Sequence, residues 1–182
     1  MIDLALFAVG TAVLLWFSRH PLRHPGGHGF YRFFAWEAIL GVVVLNFRPW
    51  GEDPFSPHQL VSWVLLGLSI YLVHQGVTLL RGHGKASQAR SDGGFYGFER
   101  TTALVRHGVF KHIRHPMYAS LIALAWGAYF QDPSWAGSVL AGVASLLLML
   151  TARADERECI RYFGDEYQDY IAQTKMFIPR VF

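Results

Sequence analysis

Between Leu60 and Leu80 the chain runs 21 residues without an Asp, Glu, Lys or Arg. About 20 apolar residues in a helix cross the hydrocarbon core of a bilayer, so this run alone directs the chain towards a membrane. Four further apolar runs share its character. Ile2 to Phe17 is interrupted by Asp3, Gly10 and Thr11, and Phe33 to Phe47 is broken by Glu37 and Asn46. Met117 to Phe130 and Trp135 to Leu150 are joined by Gln131, Asp132, Pro133 and Ser134, which read as a tight hairpin turn. Composition agrees: 16% of residues are charged, against roughly 25% in soluble domains. Aromatic residues at 15% exclude disorder, and a single cysteine, Cys159, excludes a disulfide framework.

The expected fold is all-α: one membrane domain over residues 1–182, with five spans at about 2–17, 33–47, 60–80, 115–130 and 135–150. The first run lacks the basic region and small-residue cleavage site of a signal peptide, so it reads as a helix. The fourth is short for a full span, leaving a re-entrant or thinned geometry open.

The net charge of +3 at first suggests an anionic partner, but the apolar runs leave no solvated basic face for nucleic acid. Distributed along five spans, the charge becomes an orientation. Arg19, Arg23 and Arg32 follow the first run, Arg81 to Arg114 the third, and Arg153 to Arg180 the fifth, whereas Arg48 stands on the other side beside Glu52 and Asp53. The positive-inside rule then places the N-terminus outside and the C-terminus in the cytoplasm, in a bacterial or archaeal inner membrane or one of endoplasmic-reticulum type. The tail from residue 151 to 179 carries Ile160, Phe163, Tyr167, Tyr170, Ile171 and Thr174 at three- and four-residue steps. That spacing predicts a cytoplasmic amphipathic helix, interrupted at Gly164.

Two clusters could carry chemistry. The turn Arg114, His115, Pro116, Met117, Tyr118 opens the fourth run, where Pro116 suits the first helical turn and the exposed N–H groups attract an anion. Ordinary interfacial residues would look the same. Asp155 and Glu156 leave the fifth run among Arg153, Arg157 and Glu158, a pattern that solvated charge pairs also produce. Topology brings both clusters to one face. Within the spans, Glu37 and His74 are ionisable groups expected to face the bundle interior, paired with each other or lining a substrate tunnel, or simply fixing helix packing.

The RHPMY turn, the acidic pair some forty residues on, then Phe163, Gly164, Glu166, Tyr167, Tyr170 and the terminal Phe177, Ile178, Pro179 resemble the isoprenylcysteine carboxyl methyltransferase and phospholipid methyltransferase superfamily of multi-span enzymes. The resemblance covers about Thr101 to Pro179. It implies S-adenosyl-L-methionine as cofactor, held by segments 100–118 and 151–179, with Thr102, Ala103, Leu104, Val105, Phe110, His115, Pro116, Met117, Tyr118, Asp155 and Glu156 as its binding residues and the cofactor ammonium facing Glu156. His115, His112 and Glu156 are the reachable candidates for a catalytic base if the acceptor must lose a proton. Thr151 stands where the prenylcysteine enzymes have a substrate-binding arginine, and Arg153 is about 200° away around a helix, so a prenylcysteine carboxylate is not the expected substrate. Glu37, His74 and Arg153 are the candidate substrate residues for a lipophilic small molecule or lipid reached from the membrane. Two alternatives remain at this stage. A histidine-ligated metalloprotein could use His20 with His24 or His112 with His115, although a proline follows His20 and His24 and disfavours a helix there. A membrane reductase or a non-catalytic protein could keep the same scaffold.

Overall fold

The computed structural model describes residues 2–48, 50, 53–85 and 101–182. Glu52, Arg90, Arg100 and the glycine-rich stretch before Thr101 lie outside them. All five apolar runs form helices: α1 (Ile2–Ser18), α2 (His28–Leu45), α3 (Pro57–His83), α4 (Pro116–Tyr129) and α5 (Trp135–Phe163), followed by α6 (Asp165–Gln173). By length and composition α2, α3 and α5 can cross a membrane. Their outward faces carry Val64, Ile70, Val139 and Leu146, all exposed, as lipid contact requires.

Small residues set the packing. α2 lies along α5 and α3 along α4, with α1 against α2. Ala119, Ala123, Ala125 and Ala128 of α4 and Ala141 and Ala144 of α5 are all buried, allowing the backbones to approach closely. Gly127 marks a tight contact with α3, since a Cβ there would stand 2.9 Å from a Leu66 methyl carbon.

Helix α4 has 14 residues, about 21 Å at 1.5 Å per residue, and its last carbonyls need partners that lipid cannot supply. Neighbouring helices supply them. Asn46 Nδ2 donates to the carbonyls of Ala128 (2.8 Å) and Tyr129 (3.1 Å), Ser62 Oγ to that of Gly127 (2.6 Å), and Gln59 Nε2 to that of Gln131 (2.9 Å). Gln131 in turn donates to Ser62. This polar collar explains how so short a helix ends inside the bundle. Asn46→Leu is expected to destabilise the chain by about 1–3 kcal/mol by removing the side-chain donor of the Tyr129 carbonyl and one of the donors to Ala128, read as a lower unfolding midpoint in detergent. Leu45→Ala, one position away and half exposed, should stay within about 0.5 kcal/mol.

Two boundaries differ from the sequence expectation. α2 starts at His28 rather than near 33, and α5 runs on to Phe163 rather than stopping near 150. The second extension projects beyond the apolar part of the bundle. It ends at Gly164, whose φ of 60° and ψ of −135° suit glycine alone, and the chain turns there into α6. Tyr167 and Tyr170 on one face of α6 are buried.

Candidate functional site

The site is built where the segment before α4 meets the tail after α6. Thr102 and Ala103 donate their N–H groups to the Gly84 carbonyl (2.9 and 3.1 Å), and Thr102 Oγ1 donates to the Lys85 carbonyl (2.7 Å). The returning chain is thereby fastened to the end of α3. A 3-10 turn at Gly108–Lys111 then buries Phe110. The next residues pair with the tail: Lys175 N–H donates to the His112 carbonyl (3.2 Å), Arg114 N–H to that of Lys175 (2.8 Å) and His115 N–H to that of Met176 (3.2 Å). Tyr170 Oη donates to the Phe110 carbonyl (2.7 Å), closing α6 over the turn.

This scaffold brings the two charged clusters together. Arg114 Nε donates to Glu156 Oε1 at 2.7 Å, and its Nη1 donates to the Thr174 carbonyl at 2.6 Å. His115 lies between the two acids, with Nε2 3.3 Å from Glu156 Oε1 and Nδ1 3.6 Å from Asp155 Oδ2. Its ring stacks on Tyr118 with centroids 5.4 Å apart, and Tyr118 Oη donates to Asp155 Oδ2 at 3.4 Å. Burial opposes a charge on His115, but the hydrogen bonds to Asp155 and then Glu156 outweigh it and hold the imidazole above its ordinary range. The two acids thus bias the imidazole towards its protonated form. Tyr167 and Tyr170 are pushed up chiefly by burial and remain neutral phenols.

A pocket opens beside this cluster. Leu104, Val105, Phe110, His115, Pro116, Met117, Tyr118 and Asp155 line it, together with Leu80, Thr101, Cys159, Phe163, Tyr167 and Tyr170. Thr102, Ala103 and Glu156 are not among the lining residues; the first two hold the chain to α3 and Glu156 is occupied by Arg114 and His115. Adjacent residues on a helix point about 100° apart, so one acid of the pair faces the pocket and its neighbour faces α4. The missed residues had a readable signal. Asp155 and Cys159 are four apart and Cys159 and Phe163 four apart, which is one face of α5, and Tyr167 and Tyr170 continue it on α6.

The candidate substrate residues are not brought together. Glu37 accepts from Thr11 Oγ1 at 2.8 Å, joining α2 to α1, so it does not pair with His74, which is exposed on α3. Arg153 is also exposed. Thr151 is buried and donates to the Leu147 carbonyl at 2.8 Å. The histidine pairs do not form metal sites either. His20 and His24 flank a 3-10 turn and are exposed, and His112 is exposed while His115 is buried. The one group of ligand type among the described residues is His28, Asp155 and Glu158, where His28 Nδ1 and Glu158 Oε2 are in direct contact at 2.6 Å, too close to admit an ion between them.

The chain belongs to the phospholipid methyltransferase family, whose profile matches residues 60–175. It is 35% identical over 199 residues to methanethiol S-methyltransferase 1 of Bradyrhizobium diazoefficiens, an alignment covering 97% of this chain and 64% of the relative. Methanethiol S-methyltransferase 2 of the same organism is 32% identical over 149 residues, covering 79% and 56%. Methanethiol S-methyltransferase of Crocosphaera subtropica is 22% identical over 150 residues, covering 81% and 54%. The chain thus spans between about half and two thirds of these relatives' lengths. No solved structure matches it.

Proposed function

We propose that the chain is a membrane methyltransferase that takes its methyl group from S-adenosyl-L-methionine and passes it to a small lipophilic thiol. The observation that carries the donor reading is the composition of the pocket: aromatic side chains of Phe110, Tyr118, Phe163, Tyr167 and Tyr170 around one carboxylate, Asp155. Aromatic faces and a carboxylate together suit an organic cation, and the donor carries a sulfonium and an ammonium beside a flat adenine. Asp155 would take the ammonium, and the first turn of α4, opened by Pro116, would receive the donor carboxylate. When bound, the donor supplies an electrophilic methyl carbon, whose bond to sulfur breaks as a bond to the acceptor forms and the electron pair stays with the departing thioether.

The residues of the chain hold and orient rather than exchange protons. His115 lies between two acids that favour its protonated form, and Glu156 accepts from Arg114 and His115, which suits both to positioning rather than to the base role. Methyl transfer of this type gains most of its rate from holding two reactants in line. For the acceptor, the described residues that line the pocket include no Lys or Arg that would receive a carboxylate or phosphate, and Thr151 has no charge to offer. A small thiol that gives its proton to water and reacts as the thiolate fits such a wall, and the names of three relatives support a thiol. The basic residues Arg106, Arg114, Arg153, Arg157, Arg161 and Lys175 stand at the pocket end, whereas Arg48 pairs with Asp3 at 3.0 Å at the other. By the positive-inside rule the pocket end is cytoplasmic and the N-terminus outside.

The test is incubation of the purified, membrane-reconstituted chain with methyl-labelled S-adenosyl-L-methionine and a panel of acceptors: methanethiol, a longer alkyl thiol, phosphatidylethanolamine and a prenylcysteine. Labelled thioether from the thiols alone is the expected product. Label in the lipid amine or the carboxyl ester would contradict the thiol reading while leaving the donor reading in place.

A further inference from the structure

Helix α2 begins without a side-chain cap of its own. Gly27 occupies its N-cap position and makes no side-chain hydrogen bond, so the first N–H groups of the helix need another acceptor. Glu158 supplies it from α5. Its Oε1 accepts from the His28 backbone N–H at 3.2 Å, while its Oε2 lies 2.6 Å from His28 Nδ1. A carboxylate only accepts, so Nδ1 carries a proton and donates it. Both oxygens of Glu158 are thus held by one residue, 130 positions away. His28 is 1% exposed.

The location of this clamp gives it a consequence for the pocket. Glu158 lies one helical turn beyond Asp155, and the ligand atoms of His28, Asp155 and Glu158 lie within 4.8 Å of one another. Asp155 also faces α4, through Tyr118 Oη at 3.4 Å and His115 Nδ1 at 3.6 Å, and Cys159 Sγ is 3.6 Å from its Oδ1. The wall residue is therefore set between α4 on one side and the first turn of α2 on the other. Its backbone belongs to the stretch of α5 that has left the apolar bundle. A rotation of that stretch by a few degrees would turn Asp155 and Cys159 along the pocket wall without breaking α5.

We propose that the His28–Glu158 clamp is a positioning device for the donor site: it fixes the azimuth of the α5 extension, so that Asp155 is presented to the pocket. His28 does not touch the pocket; it acts through Glu158 and Asp155. The inference rests on the donor reading above. Binding of S-adenosyl-L-methionine to the purified full chain is measured by calorimetry, and KM for donor and acceptor by turnover, for the wild type, His28→Ala, His28→Asn and Glu158→Gln. Losing a hydrogen bond to a charged group costs roughly tenfold or more in affinity, so His28→Ala, by turning Asp155 away, should weaken donor binding roughly tenfold or more and raise the donor KM alike. The acceptor KM should stay within about twofold, because the clamp orients only the donor wall. His28→Asn, whose amide N–H occupies the place of Nδ1–H, should restore most of the affinity, which a purely space-filling role would not. Donor binding by folded His28→Ala equal to that of the wild type overturns the proposal, as does failure of His28→Asn to recover a loss. If His28→Ala does not fold, Glu158→Gln decides, since it keeps the size of the side chain and weakens both bonds: lowered donor affinity supports the clamp, and unchanged affinity overturns it. A wild-type chain that takes up no donor removes the donor reading itself and the clamp's role with it, a failure distinct from variants that bind as the wild type does.

Discussion

Glu156→Ala is expected to destabilise the folded chain by about 3–5 kcal/mol, the range for removing one partner of a buried ion pair. Arg114 and Glu156 side chains are 8% and 14% exposed, and the same carboxylate faces His115. Without it, Arg114 loses its carboxylate partner and His115 keeps only Asp155 of its two acids. The segment pairing of Arg114 and His115 with Lys175 and Met176 would loosen along with the side chains, opening the pocket to water. Thermal unfolding in detergent measures the loss. Glu156→Leu combined with Arg114→Met should recover part of it, because the orphaned guanidinium is removed as well. A midpoint for Glu156→Ala equal to that of the wild type would show that the pair is spent on solvent rather than on the fold.

Asp155→Asn is expected to act on the ligand rather than on the fold. It preserves size and keeps an acceptor for Tyr118, but removes the negative charge that lines the pocket. Hydrogen bonds to charged groups contribute about 1.5–3 kcal/mol, so the donor dissociation constant should rise roughly 10- to 100-fold at 1.4 kcal/mol per decade. The same substitution changes the pH response. His115 holds its proton above the ordinary imidazole range because of Asp155 first and then Glu156, against the opposing effect of burial. A group whose folded-state pKa is raised gives stability that is complete below its unfolded value, near 6.5, and that is lost as pH rises through the folded value. The wild type should therefore weaken on the alkaline side, and Asp155→Asn should begin that loss at lower pH. Unfolding midpoints taken from pH 6 upward distinguish the two curves.

Much of the architecture was legible in the sequence because membrane helices carry a strong local signal. Each apolar run became a helix, and the Pro116 and Gly164 boundaries appear where the residue chemistry requires them. The RHPMY turn and the acidic pair meet, as orientation implied. What the sequence concealed depends on contacts between distant residues. Asn46, Gln59, Ser62 and Gln131 look like interruptions at the ends of apolar runs, yet Asn46 and Ser62 satisfy the last carbonyls of α4, and Gln59 and Gln131 join them in one network just past its end. His28 falls in a stretch that reads as a surface loop because His20 and His24 precede prolines, and its partner Glu158 hides among alternating charges that suit a solvated helix end. The division of labour within the acidic pair was equally hidden. Adjacent letters in a sequence carry no azimuth, and it is the 100° step of the helix that gives Asp155 to the pocket and Glu156 to Arg114.

The most direct measurement is a calorimetric titration of the purified chain with S-adenosyl-L-methionine, run beside Asp155→Asn and Thr102→Val. One saturable site per chain is predicted, weakened by Asp155→Asn, which changes the pocket wall, and weakened less by Thr102→Val, whose hydroxyl bonds Lys85 and holds the segment without lining the pocket. Absence of saturable binding by the wild-type chain, or binding that Asp155→Asn leaves unchanged, would contradict the account.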